Sequence, residues 1–168
     1  MPPSPKTILL MRHAKSSWGD RDLKDFERPL NNRGKKDAPK MGQLLKRLNL
    51  IPDAIVSSPA ARAKATVLSV VDELGVNEEI ISWNDDLYYG GSKDYLDAIR
   101  QTSEECNVVM TVGHNPMTEQ VIAELSDRRF TNAVPTATIA CFEVNIGNWK
   151  DVRSGECTLK WIKSPKDL

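Results

Sequence analysis

Thr7-Ile8-Leu9-Leu10-Met11 runs without a break into Arg12-His13. An apolar, β-branched run with no polar alternation reads as a strand buried on both faces, as in a parallel sheet covered by helices on each side. Such a strand delivers the two residues that follow it to the carboxyl edge of the sheet, where open α/β folds collect ligands. Further along the chain, Gly34 to Leu48 carries Ala38, Met41, Leu44, Leu45 and Leu48 at helical spacing, and Ala54-Ile55-Val56 follows Pro52 as a second strand. Ala60 to Leu74 reads as a helix closed by Gly75, Glu79 to Trp83 as a short strand, and Ser92 to Arg100 as a helix opened by a Ser cap. Val108 to Val112 is the most apolar strand and precedes a helix from Pro116 to about Leu125. Thr138 to Val144 and Cys157 to Ile162 predict a closing hairpin joined through Gly147-Asn148-Trp149-Lys150 and a polar loop. The expected fold class is α/β, a largely parallel sheet with helices on both faces.

The chain has 168 residues, and no repeat, low-complexity tract or linker divides it, so residues 1–168 are expected to form one domain. Lys plus Arg and Asp plus Glu both number 23, so no global field favours nucleic acid or an anionic membrane surface, and affinity for anions has to be local. No apolar run is long enough to span a bilayer. Met1 to Lys6 lacks the apolar core of a secretory signal, which makes the cytoplasm the expected location. Cys106, Cys141 and Cys157 are widely separated and form no CxxC pair, so they read as reduced packing residues.

The chain's two histidines, His13 and His114, both stand directly after predicted strands. The second strand leads into Ser57-Ser58-Pro59-Ala60-Ala61-Arg62, and the strand ending at Val112 leads into Gly113-His114-Asn115-Pro116. A single histidine in such a place is as readily structural as functional. Two of them, with Arg12 beside one and Arg62 at the start of a helix, suit a phosphoryl group, because guanidinium forks bind phosphate oxygens through paired charge-assisted hydrogen bonds. The helix starting near Ala60 adds amide donors and its positive dipole end. From Ala14 to about Arg33 there is no helix or strand signal, and loops of that length are usually functional.

Rival chemistries fit less well. No HxxxH or HxH spacing suggests a metal site, no GxxxxGK[ST] sequence suggests a Walker loop, and none of the cysteines leads into a short loop ending in arginine. No cofactor is expected. If a phosphoryl group is transferred, a neutral imidazole attacks phosphorus and forms a phosphohistidine that water later opens. His13 is the candidate nucleophile, since Arg12 precedes it and the long loop follows; His114, Arg12 and Arg62 stabilise the transition-state charge.

These residues resemble the histidine phosphatase superfamily, also called the phosphoglycerate mutase-like family. Arg12-His13-Ala14-Lys15-Ser16-Ser17-Trp18 resembles its RHGESxW signature, and Leu30-Asn31-Asn32-Arg33-Gly34 its L[ST]xxG step. Ser57 to Thr66 resembles SSxxxRAxxT, and Gly113-His114-Asn115 resembles GHG or GHN. The resemblance implies a three-layer α/β/α sandwich with a mostly parallel central sheet, no metal, and a phosphate pocket made by Arg12, His13, Arg62 and His114. Arg28-Pro29-Leu30 and GHNP are similar to the SixA branch, which removes phosphate from phosphohistidine on signalling proteins. That likeness adds Arg28 as a phosphate-facing residue, with Ser16 and Asn115 from the same motifs as substrate-binding candidates.

The chain departs from the family pattern at three places. Ala14 replaces the glycine of RHG, which requires a backbone with negative φ. Gly19 stands where mutases carry an asparagine. Asp86-Leu87-Tyr88-Tyr89-Gly90 resembles the segment that holds the mutases' catalytic glutamate, which makes Asp86 the candidate proton donor or, alternatively, a cap or solvent-facing carboxylate. The expected function is a phosphohistidine phosphatase acting on a phosphorylated protein. The alternatives are a small-molecule phosphomonoester phosphatase or mutase, and a non-catalytic phosphate-binding domain.

Overall fold

Strand β1 (Lys6–Arg12) lies inside a six-stranded sheet and is buried on both faces. The computed structural model describes residues 4–168, so Met1 to Pro3, the first half of the segment read for a secretory signal, lie outside it. After β1 come α1 (Asn32–Arg47), β2 (Ala54–Ser57), α2 (Ala61–Leu74), β3 (Ile81–Trp83), α3 (Asp86–Tyr89), α4 (Ser92–Arg100), β4 (Val108–Gly113), α5 (Met117–Leu125), β5 (Ile139–Val144) and β6 (Cys157–Lys163). The strand order is β3-β2-β4-β1-β5-β6. β1, β2, β3 and β4 pair in parallel, while β5 runs antiparallel to both β1 and β6. The last two strands therefore form the expected antiparallel pair, with a 3-10 turn at Trp149–Asp151 in their connection.

Alternation along β1 divides the core between two layers. Leu9 and Met11 pack with Ala38, Met41 and Leu45 of α1 and Val67 and Val70 of α2. Ile8 and Leu10 face the other way, against Tyr95 and Ile99 of α4, Val121 and Ile122 of α5, and Phe142. The result is a mixed three-layer α/β/α sandwich.

Local signals explain the element ends. Asn31 caps α1 by accepting the Gly34 N–H at 2.8 Å, and Gly75 ends α2 in the left-handed region at φ 69°. The Ser cap expected at α4 is displaced by one residue. Gly91 is the N-cap, Ser92 is the first helical residue, and the Asp94 carboxylate accepts the Gly91 N–H at 2.9 Å. The segment from Ala14 to Asn31 is a loop that turns back on itself and contains a 3-10 turn at Asp25–Glu27. Ser17 N–H donates to Pro29 O at 2.8 Å, and Asn31 N–H donates to Lys15 O at 3.0 Å, which closes its neck. Gly34 is required there, because a Cβ at that position collides with the Lys15 carbonyl. Cys106, Cys141 and Cys157 are free thiols, and burial pushes both Cys141 and Cys157 up to about 11. No helix among the described residues is long and apolar enough to cross a membrane.

Candidate active site

The parallel order β2-β4-β1 brings three strand ends side by side. Arg12 is in register with Gly113, and His13 N–H donates to Gly113 O at 2.9 Å. On the other side of β4, Ser58 N–H donates to Val112 O at 2.9 Å. Ser58, His114 and His13 thus follow adjacent strands, and the two imidazole rings lie 5.0 Å apart between centroids.

His13 is buried, and its Nδ1 lies 2.7 Å from the Ala14 carbonyl oxygen. A carbonyl can only accept, so Nδ1 carries the proton and Nε2 keeps its lone pair. Arg62 Nε donates to that lone pair at 3.3 Å. Burial is the main reason the ring is pushed down to about 4, with Arg62, Arg12 and Arg28 adding repulsion against the Ala14 contact. His13 is therefore a neutral imidazole at pH 7. Ala14 avoids positive φ, and its N–H donates to Thr66 Oγ1 at 3.0 Å, so the departure from RHG costs the loop nothing at this point.

His114 has the same Nδ1–H tautomer. Ser58 is fully buried and its Oγ otherwise meets only the Ala60 N–H, which it accepts at 3.2 Å, so the acceptor its hydroxyl proton finds is His114 Nε2, 2.8 Å away. This leaves the ring hydrogen on Nδ1, which is buried and has no partner. Burial first, then His13 and Arg62, push His114 down to about 3. Arg12 extends Nη1 to the Val134 carbonyl at 2.8 Å, while its buried Nε also lacks a partner. Buried donors without partners cost about 1–3 kcal/mol each, and sites that receive a ligand are where such costs concentrate.

Around these rings stands a cationic wall. Arg28 Nη1 donates to Ser16 Oγ at 2.9 Å, and its guanidinium lies 3.5 Å from the centre of the exposed Trp18 ring. Ser16 thus supports Arg28. Asn115 likewise supports the backbone, donating through Nδ2 to Glu119 Oε1 at 2.9 Å and Val134 O at 3.0 Å. Asp86 does not join the cluster, and the proton-donor expectation is corrected. It lies on the single turn of α3, where Leu87 is buried and Tyr88 turns its ring to within 5.3 Å of His114. Asp86, two residues before Tyr88, is placed on the opposite face of the turn, exposed beside Ser82, Trp83 and Gln101.

Two participants carry no sequence motif. Asp25 contacts both Arg62 and Arg28, and Tyr88 donates to the Asp25 carboxylate at 2.7 Å. The signal for Asp25 is its place in the long loop after His13; Tyr88 lies in the same segment as Asp86, half a turn out of phase. The segment after α5 also reaches the site, since Ala137 N–H donates to His13 O at 3.0 Å from a left-handed backbone at φ 63°.

Such a sandwich, with arginines and imidazoles converging at neighbouring strand ends, defines a phosphatase-like α/β protein. The family model of the histidine phosphatase superfamily (branch 1) matches residues 8–88, the stretch that holds Arg12, His13 and Arg62. The chain is similar in structure to a candidate phosphohistidine phosphatase SixA from Agrobacterium tumefaciens, with TM-score 0.80 and 28% identity over 96% of this chain and 99% of that one. A second candidate SixA, from Nakamurella multipartitia, gives TM-score 0.81 and 26% identity over 98% and 99%. An uncharacterized chloroplastic protein of Arabidopsis thaliana is 32% identical over 129 residues, 72% of this chain and 59% of its own length.

Proposed function

We propose that this chain is a phosphohistidine phosphatase acting on a phosphorylated protein, with His13 as the phosphoryl acceptor. The observation that carries the reading is the buried, unprotonated Nε2 of His13, its proton fixed on Nδ1 by Ala14 and Arg62 Nε beside it. The Nε2 lone pair forms the new N–P bond while the substrate's P–N bond breaks and its electron pair returns to the leaving imidazole. Arg12, Arg28, Arg62 and His114 Nδ1–H offer donors to the phosphoryl oxygens as charge builds. Water then attacks phosphorus, the P–Nε2 bond breaks and its electron pair returns to Nε2, a proton of the water goes to solvent, and His13 keeps its Nδ1–H.

The leaving group narrows the substrate class. Asp86 faces away, and the carboxylate in contact with the cluster, Asp25, is held down at about 2 by the Tyr88 hydroxyl and the two arginines. Neither supplies a proton to an alkoxide. An imidazole protonated on its second nitrogen leaves neutral and needs none, which favours phosphohistidine over a sugar phosphate.

Two measurements test this. His13→Ala should abolish phosphate release from a phosphohistidine protein and from p-nitrophenyl phosphate, together with any acid-labile phosphoenzyme in the quenched wild type; retained turnover rejects the nucleophile. Faster turnover of sugar phosphates than of phosphohistidine protein rejects the substrate class in favour of the monoester reading. Arg62→Ala should lower kcat by about 10²–10³, corresponding to roughly 2.7–4 kcal/mol of lost transition-state stabilisation. Turnover is expected to survive chelation, since the proposed chemistry runs through side chains alone.

A further inference from the structure

Asp25 lies outside the motifs at the strand ends, yet the cationic wall converges on it. Its Oδ2 accepts from Arg62 Nη2 at 3.0 Å and from the Tyr88 hydroxyl at 2.7 Å, and its Oδ1 accepts from Arg28 Nε at 3.1 Å. Its backbone carbonyl takes Arg62 Nη1 at 2.7 Å. A carboxylate in such a place has two possible roles. It resembles one edge of a phosphoryl group and can compete for the arginines, or it can hold them in place for the phosphoryl group.

The geometry of Arg62 separates the two. A guanidinium presents an end-on pair of donors, Nη1 and Nη2, and a side-on pair, Nε and Nη2. Asp25 occupies the end-on pair with one carboxylate oxygen and one carbonyl oxygen. The side-on edge is turned to His13, with Nε 3.3 Å from Nε2, the atom that receives phosphorus. Arg28 is held similarly, with Nε on Asp25 and Nη1 on Ser16 Oγ and the Ser17 carbonyl, which leaves Nη2 for a further acceptor. Asp25 thus takes the outer donors of both arginines and leaves Arg62 Nε to His13 and Arg28 Nη2 to a further acceptor.

We propose that Asp25 is a positioning residue, fixing Arg62, Arg28 and Tyr88 so that the remaining guanidinium donors meet the phosphoryl oxygens on His13. This rests on His13 as the phosphoryl acceptor. It extends the site beyond the strand-end residues to the 3-10 turn at Asp25–Glu27.

Asp25→Ala and Asp25→Asn in the full chain test it through binding of inorganic phosphate by calorimetry and through kcat and KM with p-nitrophenyl phosphate. Charge alone would make both variants bind phosphate more tightly, because a negative charge leaves the side of two arginines. Lost positioning has the opposite sign. Asp25→Ala should weaken phosphate binding about fivefold or more, and should lower kcat by about 100-fold through misplaced donors. Asp25→Asn retains one acceptor oxygen and should fall between Asp25→Ala and the wild type in both readings. Equal or tighter phosphate binding by Asp25→Ala, at any level of turnover, overturns the proposal and makes the carboxylate a competitor. His13→Ala distinguishes the two readings: retained turnover there defeats the nucleophile, whereas the effect of Asp25 on phosphate binding is measured without turnover.

Discussion

A single contact, Nδ1 to the Ala14 carbonyl at 2.7 Å, makes His13 a base at Nε2 rather than Nδ1. Burial then keeps the ring neutral, and the same holds for His114. Both histidines have folded-state values below the ordinary 6.5, so the unfolded chain binds protons first as pH falls. Stability from this source is complete above about 6.5 and is lost as pH falls through the interval down to about 4 for His13 and about 3 for His114. The slope approaches about 1.4 kcal/mol per pH unit for each histidine within its interval. Proton NMR of the two Hε1 resonances is the direct check. Midpoints near 4 and 3 are expected, and a midpoint near 6.5 for either ring would show that it is solvated rather than buried. These two residues were legible in the sequence because each directly follows a buried strand, and a strand end fixes position without knowledge of the rest of the fold. Asp25 and Tyr88 were not, because what brings them to Arg62 is the path of a returning loop and the phase of a one-turn helix. The same phase error misplaced Asp86.

The elements are coupled through a few buried hydroxyl groups. Tyr95 on α4 donates its O–H to the Leu87 carbonyl in α3 at 2.6 Å and accepts the His114 N–H at 2.9 Å. One phenol therefore ties α3, with its Tyr88, to the end of β4. Gly113 keeps that end close, since a Cβ there would run into the Tyr95 ring and hydroxyl. Tyr95→Phe leaves a buried carbonyl and a buried N–H without partners, and should destabilise the fold by roughly 1–3 kcal/mol while lowering kcat through displaced His114 and Tyr88. Urea unfolding and steady-state kinetics on the same variant read both effects; unchanged kinetics with lost stability would mean that α3 does not position the site. At this scale the strands and long helices were readable from apolar periodicity. The cap of α4 was not, because Gly91 and Ser92 are both acceptable first residues and the choice depends on Asp94 reaching back to an amide.

The strand order was beyond the sequence. Periodicity identifies buried strands but not their neighbours, and here β4 separates β1 from β2. That insertion is what sets His114 between His13 and Ser58. It also makes one sheet serve two helical layers, because alternate residues of β1 enter opposite cores. Neither layer keeps its sheet face if the other loses the strands, so residues 4–168 should unfold as one cooperative unit despite having two cores. Phe142, fully buried against α4 and α5, tests this. Phe142→Ala should cost about 3–5 kcal/mol from its cavity and lost transfer free energy. At roughly 2–4 °C per kcal/mol for a chain of this size, Tm falls by roughly 6–20 °C. Trp149 reports from the layer that loses the ring, and Trp161 packs against the layer built on α1 and α2. Fluorescence from each, isolated by replacing the other three of the four tryptophans with Phe, should shift with the far-UV signal in one transition. Two midpoints, with the α1/α2 layer surviving the change, would show that the shared sheet does not couple the layers.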